Sequence, residues 1–280
     1  MSTAVGSTAV GSTAVETRPA AEAVHKGFHL PSIDTPVSPV GFGRLVRIET
    51  RKQVDTLAGR WFLIVMGLVV AVAIAVMLFV EQGDHSYSAY LQASGIPLAI
   101  MLPVLGILSA TQEWSQRTAM TTFALEPRRG RIVAAKLTST VLLGLAAVVV
   151  AMVLAAGGRL IADLRGAQTP WDMDLALIGG ATLMMVLFVL QGLAFGLAFL
   201  NTPAAIVTYF ALPTLLPLMT LVSWLQTAYQ WIDLSVTTAP LTMGDALTGE
   251  QWAKLAVSVA LWIGVPLVIG VWRVLRREVK

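Results

Sequence analysis

Between Asp174 and Asp233 lie 58 consecutive residues without one formal charge. Such a run is foreign to soluble domains, where roughly 25% of residues are charged. In lipid it is what the solvent demands. It is also too long for one membrane crossing, which takes about 20 residues. Two helices joined by a tight turn fit it. Asn201-Thr202-Pro203 is the strong turn signal near its middle, and spans are predicted over about 175–200 and 203–226.

The rest of the chain obeys the same chemistry. Its 280 residues are 56% hydrophobic and 12% charged, and mean hydropathy is +0.75. Further apolar runs predict spans over about 62–80, 91–111, 132–158 and 253–272. Pro97 and Pro103 interrupt the second, and Lys136 near the start of the third is able to snorkel toward the headgroups. The expected fold is an all-α membrane protein with six transmembrane helices.

Ahead of the first span, Phe42, Leu45, Val46, Val54, Leu57, Ala58 and Trp61 recur at helical spacing among basic residues. This pattern predicts one amphipathic helix over 41–61, lying in the membrane surface. Residues 1–40 begin with a repeated Ser-Thr-Ala-Val-Gly unit and read as a disordered, low-complexity tail. They lack the basic and apolar regions of a secretory signal. Five basic residues fall in 44–60, five in 112–136 and four after Trp272. The intervening loops hold Arg159, Arg165 and Lys254 against eight acidic residues. The positive-inside rule then places both termini in the cytoplasm.

Several function classes lose support here. The basic residues flank apolar segments as headgroup anchors do, so no nucleic-acid partner is expected. Cysteine is absent, which removes thiolate chemistry, and His25, His29 and His85 all lie outside the spans. No metal cluster, cofactor or catalytic residue is expected. No phosphate loop of the Gly-x-x-x-x-Gly-Lys type occurs. The span interiors are read as free of Asp, Glu, Lys and Arg, which disfavours an ion-coupled carrier, although backbone carbonyls and hydroxyls do bind Na⁺. Any uphill transport would then draw its energy from a separate chain.

The segment 112–126 is the most informative. Glu113 and Arg117 are four apart with the acid first, a helix pair worth roughly 0.2–0.5 kcal/mol. Pro127 should end that helix. A polar connector with lipid-anchoring arginines explains the segment; so does a rigid lever for a cytoplasmic partner.

The order of amphipathic helix, six spans and an intervening cytoplasmic helix resembles an ABC-2 type ABC transporter permease of the actinobacterial style. The matching words are Arg47-Ile48-Glu49-Thr50-Arg51-Lys52-Gln53-Val54-Asp55-Thr56, Glu113-Trp114-Ser115-Gln116-Arg117-Thr118, Leu125-Glu126-Pro127-Arg128-Arg129, Ala135-Lys136-Leu137 and Arg276-Arg277-Glu278-Val279-Lys280. The resemblance covers about residues 42–280. It implies two permease subunits, as homodimer or heterodimer, above two cytoplasmic ABC ATPase subunits, and it implies export across the cell membrane. In that family the helix near 112–126 is a coupling helix seated on the ATPase, braced by an elbow helix. Glu113, Trp114, Arg117, Thr118, Glu126 and Arg128 become ATPase-contact candidates, with Glu49, Arg51 and Lys52 as elbow support.

Inside the spans, Gly192 and Gly196 permit close helix approach, either within the bundle or at a seam between permeases. Pro213 and Pro217 are expected to kink the fifth span, and Gln191 to hydrogen-bond a neighbouring helix or a substrate. In the family, the loop 227–252 often carries short re-entrant helices. A carrier or channel acting alone, and a scaffold without transport activity, remain as alternatives. The substrate is not legible.

Overall fold

The computed structural model describes residues 40–276 apart from 81, 82, 168, 170 and 245. The expected tail lies outside these residues except for Val40, as do residues 277–280. All regular structure among the described residues is helical, and six segments are long and apolar enough to cross a bilayer.

Helix α1 (Phe42–Asp55) leads into α2 (Leu57–Met77), the first of the six. Then come α3 (Tyr87–Ser115), the short α4 (Ala119–Leu125), α5 (Arg129–Leu164) and α6 (Leu175–Phe199). Helix α7 (Thr202–Leu215) runs on into a 3-10 turn at Leu216–Leu221, and the two short helices α8 (Ser223–Ile232) and α9 (Leu234–Thr238) follow. Finally α10 (Gly249–Val259) and α11 (Val265–Arg276) form the sixth segment, joined by a π turn at Ala260–Gly264.

The single helix expected over 41–61 is two. Thr56 adopts an extended backbone, ending α1 and capping α2, with its hydroxyl accepting from Gly59 N at 3.2 Å. The corner is so tight that a Cβ on Gly59 would sit 1.8 Å from the Gln53 carbonyl oxygen. The face that α1 buries is Leu45, Glu49 and Gln53, while Phe42 and Ile48 are exposed.

Helices α3 and α6 are the centre of the bundle. Over half of each apolar stretch is buried, against 17% for α2 and 11% for Thr202–Leu221. Their close approach rests on small residues. A Cβ on Gly192 would meet the Pro103 carbonyl oxygen at 2.0 Å, one on Gly106 the Val189 carbonyl oxygen at 2.3 Å, and one on Gly196 the Ala110 Cβ at 2.6 Å. Gly192 and Gly196 therefore pack α6 onto α3 of the same chain.

Helix α5 has 36 residues and spans roughly 54 Å, well beyond the ~30 Å of bilayer hydrocarbon. Lys136 and Arg159, both on α5, are 4% and 2% exposed. They lie roughly 35 Å apart along the axis, slightly more than the ~30 Å thickness of bilayer hydrocarbon. Two expectations are corrected here. Lys136 does not snorkel, and Arg159 belongs to a helix instead of a loop.

The fifth span also departs from the expected 203–226. Pro213 lies inside α7, Pro217 opens the exposed 3-10 turn, and α8 begins afresh at Ser223. In the sixth, the Val265 N–H bonds the Ala260 carbonyl across the π turn. Pro266 supplies the reason: it has no N–H for the Trp262 carbonyl, and its ring would clash there in a regular helix.

Candidate functional site

Four charges meet where α1 crosses the end of α3 and the start of α5. Lys136 Nζ lies 2.7 Å from Glu49 Oε2 and 2.9 Å from Glu113 Oε1. Lys52 Nζ lies 2.7 Å from Glu49 Oε1 and 3.2 Å from Glu113 Oε1. Glu49, Glu113 and Lys136 are buried, and Lys52 is partly open. Two ammonium groups and two carboxylates thus alternate around a closed ring with no net charge. Removing a carboxylate and an ammonium from water costs several kcal/mol per ion. Only such mutual pairing makes the burial tolerable.

Hydroxyls and amides surround the ring. Lys136 Nζ also donates to the Ser109 carbonyl at 2.9 Å, and Gln53 Nε2 donates to Ser139 Oγ at 3.0 Å and Thr140 Oγ1 at 3.3 Å. Ser109 and Thr140 share a 2.7 Å hydrogen bond, and Gln112 Nε2 donates to the Lys52 carbonyl at 3.1 Å. Helices α1, α3 and α5 are therefore joined by polar contacts at one end, where an apolar seam would slide.

The segment beyond α3 differs from the helix expected at 112–126. α3 ends at Ser115, and Arg117 takes a left-handed conformation (φ 56°). Thr118 N bonds the Glu113 carbonyl at 2.9 Å, the hydrogen bond of a Schellman closure. This breaks the expected Glu113–Arg117 pair: Glu113 turns to the two lysines, and Arg117 is exposed. Aromatic and cation–π contacts hold helix α4. Trp114 and Phe123 have ring centroids 6.3 Å apart, and the Arg129 guanidinium sits 4.7 Å above the Phe123 ring.

Glu126 is buried too, held by Arg131 at 3.0 Å and by the backbone N–H of Arg128 at 3.3 Å. Arg131 also donates to the Val40 carbonyl. A cleft of about 620 Å³ opens between α1 and α4, with Glu49, Lys52, Glu113, Thr118 and Glu126 among its walls. Arg51, Arg117 and Arg128 face outward, with Met120 and Leu125 exposed beside them.

The structure thus brings Glu49, Lys52 and Glu113 into one ring, Trp114 and Glu126 into the bracing of α4, and Arg51, Arg117, Thr118 and Arg128 to the surface around it. Gln191, Pro213 and Pro217 lie elsewhere. Gln191 and Pro213 share a separate cavity, which Pro217 does not line. Sequence reasoning missed Gln53, Lys136, Ser109 and Thr140. A signal for the first exists: Gln53 follows Glu49 by one helical turn, as Glu49 follows Leu45.

A second polar cluster, gathered around the buried Arg159, marks the opposite end of the bundle. The Arg159 guanidinium pairs with Asp163, donates to the Thr169 carbonyl and sits 5.4 Å from the Trp171 ring. Asp172 accepts from Ser88 N at 3.2 Å and from Ser88 Oγ. Burial pushes the Asp172 carboxyl upward, but the two Ser88 hydrogen bonds overcome this and hold it below the usual aspartate range. Among the described residues no cluster of His, Cys, Asp and Glu could hold a metal ion. Compared with known proteins, the chain matches no protein-family model and no curated protein.

Proposed function

We propose that the chain is the membrane subunit of an ATP-driven exporter of the ABC-2 type, multi-pass in the cell membrane with both termini cytoplasmic. ATP is hydrolysed on a separate cytoplasmic ABC ATPase, and two membrane subunits pair to form the pathway. The chain itself binds no cofactor and no nucleic acid; lipid surrounds its apolar helices. The observation that carries this reading is the ring of Glu49, Lys52, Glu113 and Lys136. It ties α1 and the root of α4 to two long helices, so a push on α4 is delivered to α3 and α5 together.

Three further features support it. The end of the bundle holding the ring also holds Arg44, Arg47, Arg51, Arg117, Arg128 and Arg131, as the positive-inside rule requires of a cytoplasmic face. Exposed Met120 and Leu125 on α4 offer an apolar tip for a partner's groove. The buried ions compensate one another, which suits a fixed tie better than a site that must gain and lose an ion. α1 then serves as the elbow.

Affinity purification of the full chain in mild detergent should co-isolate an ABC ATPase. Arg117→Glu should leave membrane insertion and ATP hydrolysis in place while abolishing transport. A chain that purifies alone and concentrates a solute on a proton or sodium gradient would overturn the proposal.

A further inference from the structure

A cavity of about 240 Å³ lies between α3, α6, α7, α9 and the π turn before α11, remote from the charged ring. Phe188, Tyr209, Phe210 and Trp262 line it together with Gln191 and Pro213, and no residue of its wall carries a formal charge. The aromatic wall is held in fixed geometry. Phe195 stacks on Trp262 at 6.1 Å and meets the Tyr209 ring edge-on at 5.8 Å, and Tyr209 meets Phe210 edge-on at 4.9 Å. Trp262 is further fixed by its indole N–H, which donates to the Ile232 carbonyl at 2.6 Å.

Two polar groups enter this space without a partner. Gln191 is 3% exposed and Tyr209 7% exposed, yet neither the amide nor the hydroxyl hydrogen-bonds any described residue. Neighbouring buried hydroxyls are satisfied: Thr237 and Ser258 share a 2.6 Å hydrogen bond. Neither Gln191 nor Tyr209 is among the wholly enclosed, unpaired side chains of the described residues, so both polar ends open onto accessible space and are available to a molecule in the cavity they line. Both walls carry backbone irregularities as well, Pro213 in α7 and the π turn bearing Trp262, and π turns recur at functional sites.

We infer that this cavity binds a small uncharged amphiphile, its flat apolar body against the aromatic wall and its single hydroxyl or carbonyl group bonded to Gln191 and Tyr209. An amide and a phenol each donate and accept, so both polar groups are served. A carboxylate or ammonium would find no countercharge. The volume falls below the usual 300–1,000 Å³ of ligand pockets, which selects a body of about two fused rings over a phospholipid. The inference is independent of the ATPase reading, since the membrane chain alone holds every group involved.

The test uses the full chain in phosphatidylcholine nanodiscs, photolabelled with benzophenone and mapped by peptide mass spectrometry. Labelling should saturate, concentrate on the residues of this cavity, and be displaced by 1-naphthol but not by the 1-naphthoate anion. Gln191→Leu and Tyr209→Phe keep the shape and remove the polar atoms. Each should raise the 1-naphthol concentration for half-displacement by roughly 3- to 10-fold. Labelling spread along the lipid-facing helices, displacement by the anion as readily as by the alcohol, or unchanged half-displacement in both variants would each overturn the inference. The anion comparison needs no variant, so a misfolded mutant leaves the test intact.

Discussion

Lys136 Nζ on α5 lies 2.7 Å from Glu49 Oε2 on α1, and both side chains are almost wholly buried. Cutting one partner from such a pair leaves the other charge stranded. Lys136→Met is therefore expected to cost about 3–5 kcal/mol, read as a lowered melting temperature by size-exclusion chromatography of heated samples. Neutralising the three buried members by Glu49→Gln, Glu113→Gln and Lys136→Met together should recover much of the loss, because the remaining charge, on Lys52, is partly open to solvent. Equal melting of Lys136→Met and the unaltered chain would show that the ring is not structural.

Arg117 separates strain from contact. Its left-handed backbone (φ 56°) suits glycine better than any side chain. Arg117→Gly should leave stability unchanged or raise it by up to about 1 kcal/mol, while abolishing the proposed ATP-driven transport if the guanidinium touches the proposed ATPase. A variant both more stable and fully active would remove Arg117 from the proposed coupling surface.

The α3–α6 seam makes a steric prediction. Gly192→Ala would place a methyl group 2.0 Å from the Pro103 carbonyl oxygen. The helices must separate, at a cost of about 1–3 kcal/mol or more. A Cβ on Gly179, on the same helix, meets nothing within 4 Å, so Gly179→Ala should be harmless or slightly stabilising. Comparable melting of the two variants would contradict the seam.

At the opposite end, the Ser88–Asp172 tether gives a pH dependence of definite sign. The folded carboxyl titrates below its unfolded value. Its contribution is thus complete above the unfolded value near 3.9 and is lost as pH falls through the folded value. Hydrogen exchange of the Ser88 amide should be flat between about pH 5 and 8, once corrected for intrinsic rates, and rise only below the usual aspartate range. Asp172→Asn should raise it at neutral pH. A transition near pH 6 would point to another group.

Apolar length was legible because lipid penalises charge so heavily that 58 uncharged residues admit few other readings. Local breaks were less so. Nothing in Glu113-Trp114-Ser115-Gln116-Arg117 announces a left-handed residue at an arginine, since that conformation is normally glycine's. Lys136 was misread for a deeper reason. A lysine one turn inside a span reads as snorkelling unless its partners are known, and those partners lie on α1 and α3. The signal left in the sequence was Glu49 itself, an acid placed between Leu45 and Gln53 on the buried stripe of α1. The aromatic cavity was half visible: Gln191 and Pro213 stood out as oddities, but only folding shows that Tyr209 and Trp262 share their space.

The π turn at Ala260–Gly264 amounts to one residue of slack in the last membrane helix. Rewinding that turn into regular α-helix with all its residues kept would rotate everything beyond it by about 100°. Gly270 would then leave the Leu197 backbone it now fits against, and Arg273 would lose the Ala198 carbonyl. The phase of the C-terminal half, and with it the fastening of Arg129 to the Val274 carbonyl at 2.9 Å, hangs on a surplus peptide unit far from any of those contacts.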